Sequence, residues 1–357
     1  MRNSSENFTY SGLAARGIFG FGTIGQLEDE VAALGVTKVL VLSTPDQHDQ
    51  AEALSVQLGA LSGGLYSKAA MHTPVEVTQD ALHVYSSAGA DGVVAIGGGS
   101  TIGLGKAIAL RTACPQLVVP TTYAGSEMTS ILGQTEHGEK TTLKTLDVLP
   151  ETVIYDVDFT LSLPPLMSVT SGINAIAHAV EAMYAENANS VLSLMAAEGI
   201  GALTKALPLI IANPHDRQAR YDALYGAWLC ASCLGSGGVA LHHKLCHVLG
   251  GSFDLPHAQT HTIILPHALA YNAPAIGEAL ARINAAMATQ DAAGALYDIA
   301  KNAGATMALK DLGMPEAGIE KAAQIALKNP YYNPRPLEET SIRTLIEAAW
   351  HGSRPTC

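Results

Sequence analysis

Between Leu27 and Thr122 short apolar runs alternate with helical patterns, and few architectures accept that order. Leu27 to Leu34 has the spacing of an amphipathic helix. Lys38-Val-Leu-Val-Leu-Ser-Thr-Pro45 then reads as a short apolar run suited to a strand buried on both faces. Ala51 to Leu58 is helical again, Gly64-Leu-Tyr-Ser67 supplies a strand, and Val75 to Ala88 a helix. Asp91-Gly-Val-Val-Ala-Ile96 is the next strand, Lys106 to Arg111 belongs to the helix after it, and Leu117-Val-Val-Pro-Thr-Thr122 is the strand that follows. Strand, helix, strand in this order predicts an α/β unit on an open parallel sheet, with ligands at the carboxyl edge of its strands.

Gly97-Gly98-Gly99-Ser100 comes directly after a strand and opens a helix. Backbone N–H groups and the helix dipole can hold a pyrophosphate there with no side chain in the way. A plain tight turn is an equal reading, and the string does not fit GxGxxG.

After Asp156-Val-Asp-Phe-Thr-Leu-Ser-Leu-Pro-Pro165 the strand patterns stop. Ala- and Leu-rich helical segments follow at Val169 to Ala185, Ser190 to Ile211, Asp216 to Leu234, Val239 to Leu249, His261 to Ala270, Ile276 to Ala286, Ala292 to Ala303 and Ile319 to Leu327. They predict an all-helical domain. A chain of 357 residues exceeds the usual single core, and Pro164-Pro165 forbids a continuous helix, so the expected domains are 1–162 and 163–357 around a cleft.

Inside the helical half, Leu241 to Asn272 carries His242, His243, His247, His257, His261 and His267. His243 and His247 are four apart and project from one helical face, Gly250-Gly251 is expected to end that helix, and His257 follows a proline where the chain can turn back. Taken singly, each is most simply a scattered polar residue. As a converging group, imidazoles serve as metal ligands, proton donors or cations for an acidic substrate, and spacing does not choose among these. A second segment, Ser171 to Tyr184, sets Asn174 and His178 four apart on an otherwise apolar helix.

With these residues in view, the chain resembles the iron-containing alcohol dehydrogenase family over nearly all of its length. In that family an Asp and a His four apart, with two later histidines, hold the catalytic divalent metal; the matching positions are Asn174, His178, His243 and His257. His247 matches a histidine beside the nicotinamide ring. The resemblance also makes Gly97, Gly98, Gly99 and Ser100 the pyrophosphate loop, matches Thr121, Thr122, Ser126 and Met128 to the cofactor-lining segment, and sets Lys140 near the ribose. The strand ending at Ser43 and Thr44 carries hydroxyls where strict NAD enzymes often carry a carboxylate, so NADH or NADPH is expected.

The family's ligand carboxylate is replaced by the neutral Asn174. With three neutral imidazoles it leaves a divalent charge uncompensated, so the expectation is an enzyme that requires no metal. The strings Thr122 to Thr129, Leu241 to Gly251 and Asn329 to Pro336 are similar to those of one branch of the family, the maleylacetate reductases. That resemblance implies NAD(P)H-dependent reduction of a dicarboxylate, in which maleylacetate becomes 3-oxoadipate during aromatic breakdown. The alternative is a metal-dependent alcohol or aldehyde dehydrogenase. Hydride addition to a conjugated double bond gives an enolate, a weaker base than an alkoxide, which hydrogen-bond donors can stabilise.

On this reading the clustered histidines carry positive charge for a dianion. His243 and His247 stabilise and protonate the enolate, and His178, His257 and Asn174 orient substrate. Lys244 and Arg335 are candidate carboxylate partners or simply solvated charges. His242 is expected to point off the active face, His267 to be structural and His261 to be either, with Glu127 and Glu181 orienting partners through hydrogen bonds.

A net charge of −12 without a basic run makes nucleic acid and anionic membranes poor partners. Cys230-Ala-Ser-Cys233 lies in a helical pattern and reads as packing. No apolar signal core begins the chain, so the cytoplasm is the default, and a homodimer is implied by the family and the low charged fraction of 15%.

Overall fold

The structure, a computed structural model, describes residues 8–13, 15–136, 139–328 and 331–357. It falls into two compact units, Gly12–Leu163 and one containing Pro164–Cys357.

The first unit is the expected parallel sheet. Its elements are β1 (Arg16–Gly20), α1 (Leu27–Ala33), β2 (Val39–Leu42), α2 (His48–Leu58), β3 (Ser62–Tyr66), α3 (Val75–Ala88), β4 (Gly92–Gly97), α4 (Gly99–Thr112), β5 (Gln116–Pro120) and β8 (Thr152–Asp156). The order across the sheet is β1-β8-β5-β4-β2-β3, every pair parallel. Central strands are buried on both faces, so Leu40, Leu42, Val93 and Ala95 face one core while Val41, Val94, Ile96 and Val119 face the other. Each such side chain contributes about 1.5–3 kcal/mol by leaving water. The connections from β2 and β4 leave in opposite directions, which opens a crevice at their carboxyl ends.

Strands β1 and β8 add two positions to the sheet beyond those named from the pattern, and an antiparallel hairpin, β6 (Ile131–Glu136) with β7 (Glu139–Lys144), stands apart from it.

The second unit is helical: α5 (Pro165–Ala182), α6 (Ser190–Ala212), α7 (Arg217–Ser236), α8 (Leu241–Phe253), α9 (His257–Asn272), α10 (Gly277–Ala286), α11 (Ala292–Asn302), α12 (Gly318–Ala326) and α13 (Glu339–His351). Helix α5 packs against α6, α7 and α9, and its start is anchored by the buried Arg220, whose Nη1 donates to Ser168 Oγ at 2.7 Å. By length and composition α6 could cross a membrane, yet here it packs against α5, α7 and α10 and carries Glu198 and Lys205.

Gly250-Gly251 does not end α8, as the sequence led us to expect. The helix continues to Phe253 and closes at Asp254, in the left-handed region with φ 52°. Each interior glycine costs about 1 kcal/mol. The Phe253 ring offsets this by seating on Gly318 of α12, so closely that a methyl group at Gly318 would lie 2.8 Å from it.

Candidate active site

The Gly-rich edge belongs to the first unit. Strand β4 ends at Gly97 with φ 151°, and Gly98 precedes α4 with no side-chain cap bonded to the helix start. A Cβ on Gly97 would run into Thr101 and Gln47, and one on Gly98 would stand 2.9 Å from the Thr122 side chain. A Cβ on Gly99 would meet nothing within 4 Å. The first two glycines therefore let the strand-to-helix turn close on its neighbours, while Gly99 and Ser100 leave the N-terminus of α4 open to an anion.

Thr121 N–H donates to Gly97 O at 3.1 Å, holding the end of β5 against this turn, and Gln47 Nε2 donates to Thr121 Oγ1 at 2.7 Å. No periodicity singled out Gln47. Ser126 and Met128 share a short 3-10 turn after Gly125, whose φ is 84°. Lys140 lies on β7 opposite Thr135; its side chain is outside the described residues, as are Asn329 and Pro330. Ser43 is fully buried, and its Oγ has no hydrogen-bond partner among the described residues. The half-buried Thr44 next to it is the better placed of the two hydroxyls to meet a ribose.

In the second unit α5 carries Asn174, His178 and Glu181 at i, i+4 and i+7, hence on one face. All three are buried. His178 Nδ1 stands 2.9 Å from His243 Nε2 of α8, and the two rings are stacked with centroids 5.0 Å apart. His243 Nδ1 stands 2.6 Å from Glu181 Oε2. The same Oε2 accepts from the backbone N–H of Ala240, and Oε1 from that of His242, each at 2.7 Å. Glu181 thus caps α8 from a neighbouring helix where α8 has no cap of its own.

A carboxylate that accepts at both oxygens is an acceptor only, so His243 donates through Nδ1 and its Nε2 keeps a lone pair. Nε2 in turn faces His178 Nδ1, so both ring nitrogens of His243 have a partner within the protein.

His247 and His257 are exposed, with the His247 ring centroid 6.4 Å from that of His243 and the His257 ring 4.2 Å from that of His261. His242 does not point away, as expected from its place beside His243. It is fully buried, and its Nε2 lies 2.9 Å from His261 Nδ1, with Cys246 Sγ 3.7 Å off. Burial, reinforced by the neighbouring histidines, drives both His242 and His261 well below the ordinary imidazole range. His242 and His261 are therefore held towards the neutral form. His267 is buried.

Lys244 Nζ lies 5.4 Å from the Tyr331 ring centroid. The Arg335 guanidinium stacks on Tyr271 at 4.3 Å while donating to its carbonyl at 2.8 Å. Arg335 also lines a recess of about 290 Å³ with Tyr331 and Asn333.

These residues suit a cation. The lone pair of His243 Nε2 faces a second imidazole nitrogen, and among the described residues the only ion-pair partner of the buried Glu181 is that same histidine. A buried carboxylate needs a compensating positive charge, and a carboxylate behind a ligating histidine is the usual support of such a ligand. The anionic charge that Asn174 does not supply is present one residue further back, on Glu181.

The sequence matches the family model described as iron-containing alcohol dehydrogenase over residues 14–157, and that of the Fe-containing alcohol dehydrogenase family, C-terminal, over residues 168–350. A maleylacetate reductase of Rhizobium sp. (strain MTP-10005) is 53% identical, covering 98% of this chain and 99% of the relative. The crystal structure of maleylacetate reductase from Agrobacterium tumefaciens superposes with a TM-score of 0.94 at 52% identity, covering 98% of this chain and 100% of the other. That of the iron-containing alcohol dehydrogenase from Corynebacterium glutamicum gives 0.92 at 43% identity, covering 98% of each.

The expectation that no metal is required is overturned here, because both halves of the chain match an iron-containing family. With both halves matched and the fold shared from end to end, the chain belongs to the iron-containing alcohol dehydrogenase family.

Proposed function

We propose that this oxidoreductase reduces maleylacetate to 3-oxoadipate with NADH or NADPH. The observation that carries the reading is the 53% identity, across 98% of the chain, to a maleylacetate reductase. In this reading Gly98, Gly99 and Ser100 hold the cofactor pyrophosphate at the start of α4, with Thr121, Thr122, Ser126 and Met128 along the dinucleotide.

Asn174, His178, His243 and His257 are the residues that would hold the metal, which when bound supplies a Lewis acid for a substrate oxygen. Glu181 holds the His243 ring through Nδ1, so that Nε2 is the nitrogen turned towards His178 and the ligand position. When bound, the reduced nicotinamide would supply a hydride to the double-bond carbon distal to the ketone, leaving NAD(P)+ and an enolate. The α-carbon of that enolate then takes a proton. With His243 engaged through Nδ1, the donor is the exposed His247, one turn further along α8. The neutral His242 and His261 back the ligand layer and keep water from it.

A cytoplasmic dimer is part of this reading, since the reduced cofactor is drawn from the cytoplasm. The test is absorbance at 340 nm with NADH and either maleylacetate or simple alkanals. Rapid oxidation of NADH with maleylacetate is expected. Turnover of alkanals with none of maleylacetate would sink the proposal.

A further inference from the structure

Lys106 lies on α4, two turns beyond the Gly-rich loop, and is fully buried. Its Nζ stands 2.6 Å from Ser126 O, 2.7 Å from Thr129 O, 2.9 Å from Thr129 Oγ1 and 2.9 Å from Ile131 O. Thr129 Oγ1 donates its own proton to Ser126 O at 3.1 Å, so all four oxygens turn lone pairs towards the nitrogen. An ammonium brings three N–H donors to these four oxygens, one donor being shared, whereas an uncharged amine would set its own lone pair against an oxygen. Burial pulls the group down to about 7, and the buried Glu127 opposes that pull.

The turn enclosing this ammonium has weak bonds of its own. Met128 N–H reaches Gly125 O at 3.4 Å and Thr129 N–H reaches Ser126 O at 3.3 Å, both longer than any contact to Lys106. The turn's shape is therefore set by the cation inside it more than by its own backbone. One rigid helix then carries the anion-binding N-terminus at its start and, two turns on, the charge around which a second loop closes.

We propose that Lys106 is a positioning residue for the dinucleotide: its ammonium is the template around which residues 125–131 fold, and it fixes Ser126 and Met128 in register with the pyrophosphate loop. This rests on the reading above that the turn at Ser126–Met128 lines the cofactor.

The experiment is NADH titration by cofactor fluorescence together with steady-state kinetics, on the full chain and its variants. Lys106→Met is expected to raise the Kd and KM for NADH at least tenfold, with kcat at saturating NADH within threefold of wild type. Lys106→Ala is expected to regain affinity when propylammonium, which replaces the missing methylenes and charge, is added, and not with tetramethylammonium, which has no N–H donor. Should Lys106→Met not fold, Lys106→Gln carries the comparison, because its amide keeps two N–H donors and an intermediate rise in Kd is expected.

A Kd within twofold of wild type in the folded variant, or a fall in kcat with KM unchanged, overturns the template role alone. Wild-type protein that binds neither NADH nor NADPH overturns the reading of the site and this inference with it.

Discussion

Glu181 Oε2 and His243 Nδ1 meet at 2.6 Å, with their side chains 0% and 6% exposed. One carboxylate thereby orients an imidazole, satisfies two backbone N–H groups at the start of α8, and supplies the negative charge that the nearby Asn174 does not.

Glu181→Gln tests that arrangement. The amide keeps the size of the side chain but has a single acceptor oxygen for three donors. Iron affinity is expected to fall about 10–100-fold, as when other supports behind ligating histidines are removed. Metal content after equilibration against a competing chelator is the readout, and unchanged content would refute the supporting role.

His247→Ala is expected to lower kcat about 10²–10⁴-fold with little change in the KM for maleylacetate, the usual contribution of a proton donor. His247→Gln should fare no better, because an amide does not deliver a proton. A pH-rate profile keeping its shape in both variants would show that the donor is another group.

Burial takes His267 from 6.5 down to about 4. Between those values the unfolded chain binds a proton that the folded chain does not, so stability is fully present above about 6.5 and declines as the pH falls towards 4. The effect is on the order of 3 kcal/mol. Urea melts of wild type and His267→Gln at pH 7 and pH 5 should show a smaller acid penalty in the variant; equal penalties would count against His267.

Gly98→Ala would set a methyl group 2.9 Å from Thr122 Cγ2 and Oγ1, and relieving that contact should cost about 1–3 kcal/mol. NADH affinity should fall with it. The Gly98→Ala/Thr122→Ala double variant should recover much of the stability, because the crowded atoms are gone. Thermal melts and a double-mutant cycle measure the coupling, and strict additivity would mean that the contact is not the cause.

The parallel sheet was legible because β2, β4 and β5 are buried runs separated by periodic helices. Strand β1 was not. Arg16-Gly-Ile-Phe-Gly20 sits at a sheet edge, where one side is exposed and the apolar signal is broken by glycine. The length of α8 escaped for a different reason: two glycines argue locally for a stop, while the helix's packing, including Phe253 on Gly318 of a distant helix, comes from far along the chain. The spacing of Asn174 and His178 was read correctly as one face, but Glu181, three residues on, was given only a general orienting role. Its two backbone partners lie about 60 residues away in the chain. Counting charge from the ligand positions alone therefore missed the anion behind them.

Asn174, His178 and Glu181 lie along a single stripe of α5, and Glu181 grips the first turn of α8. A displacement of α5 would therefore carry His178 and His243 together, and their mutual spacing would survive movements of the surrounding bundle. Position 174 can trade an acid for an amide without emptying the cavity of negative charge, whereas position 181 could not make that exchange without loosening an imidazole and a helix at once.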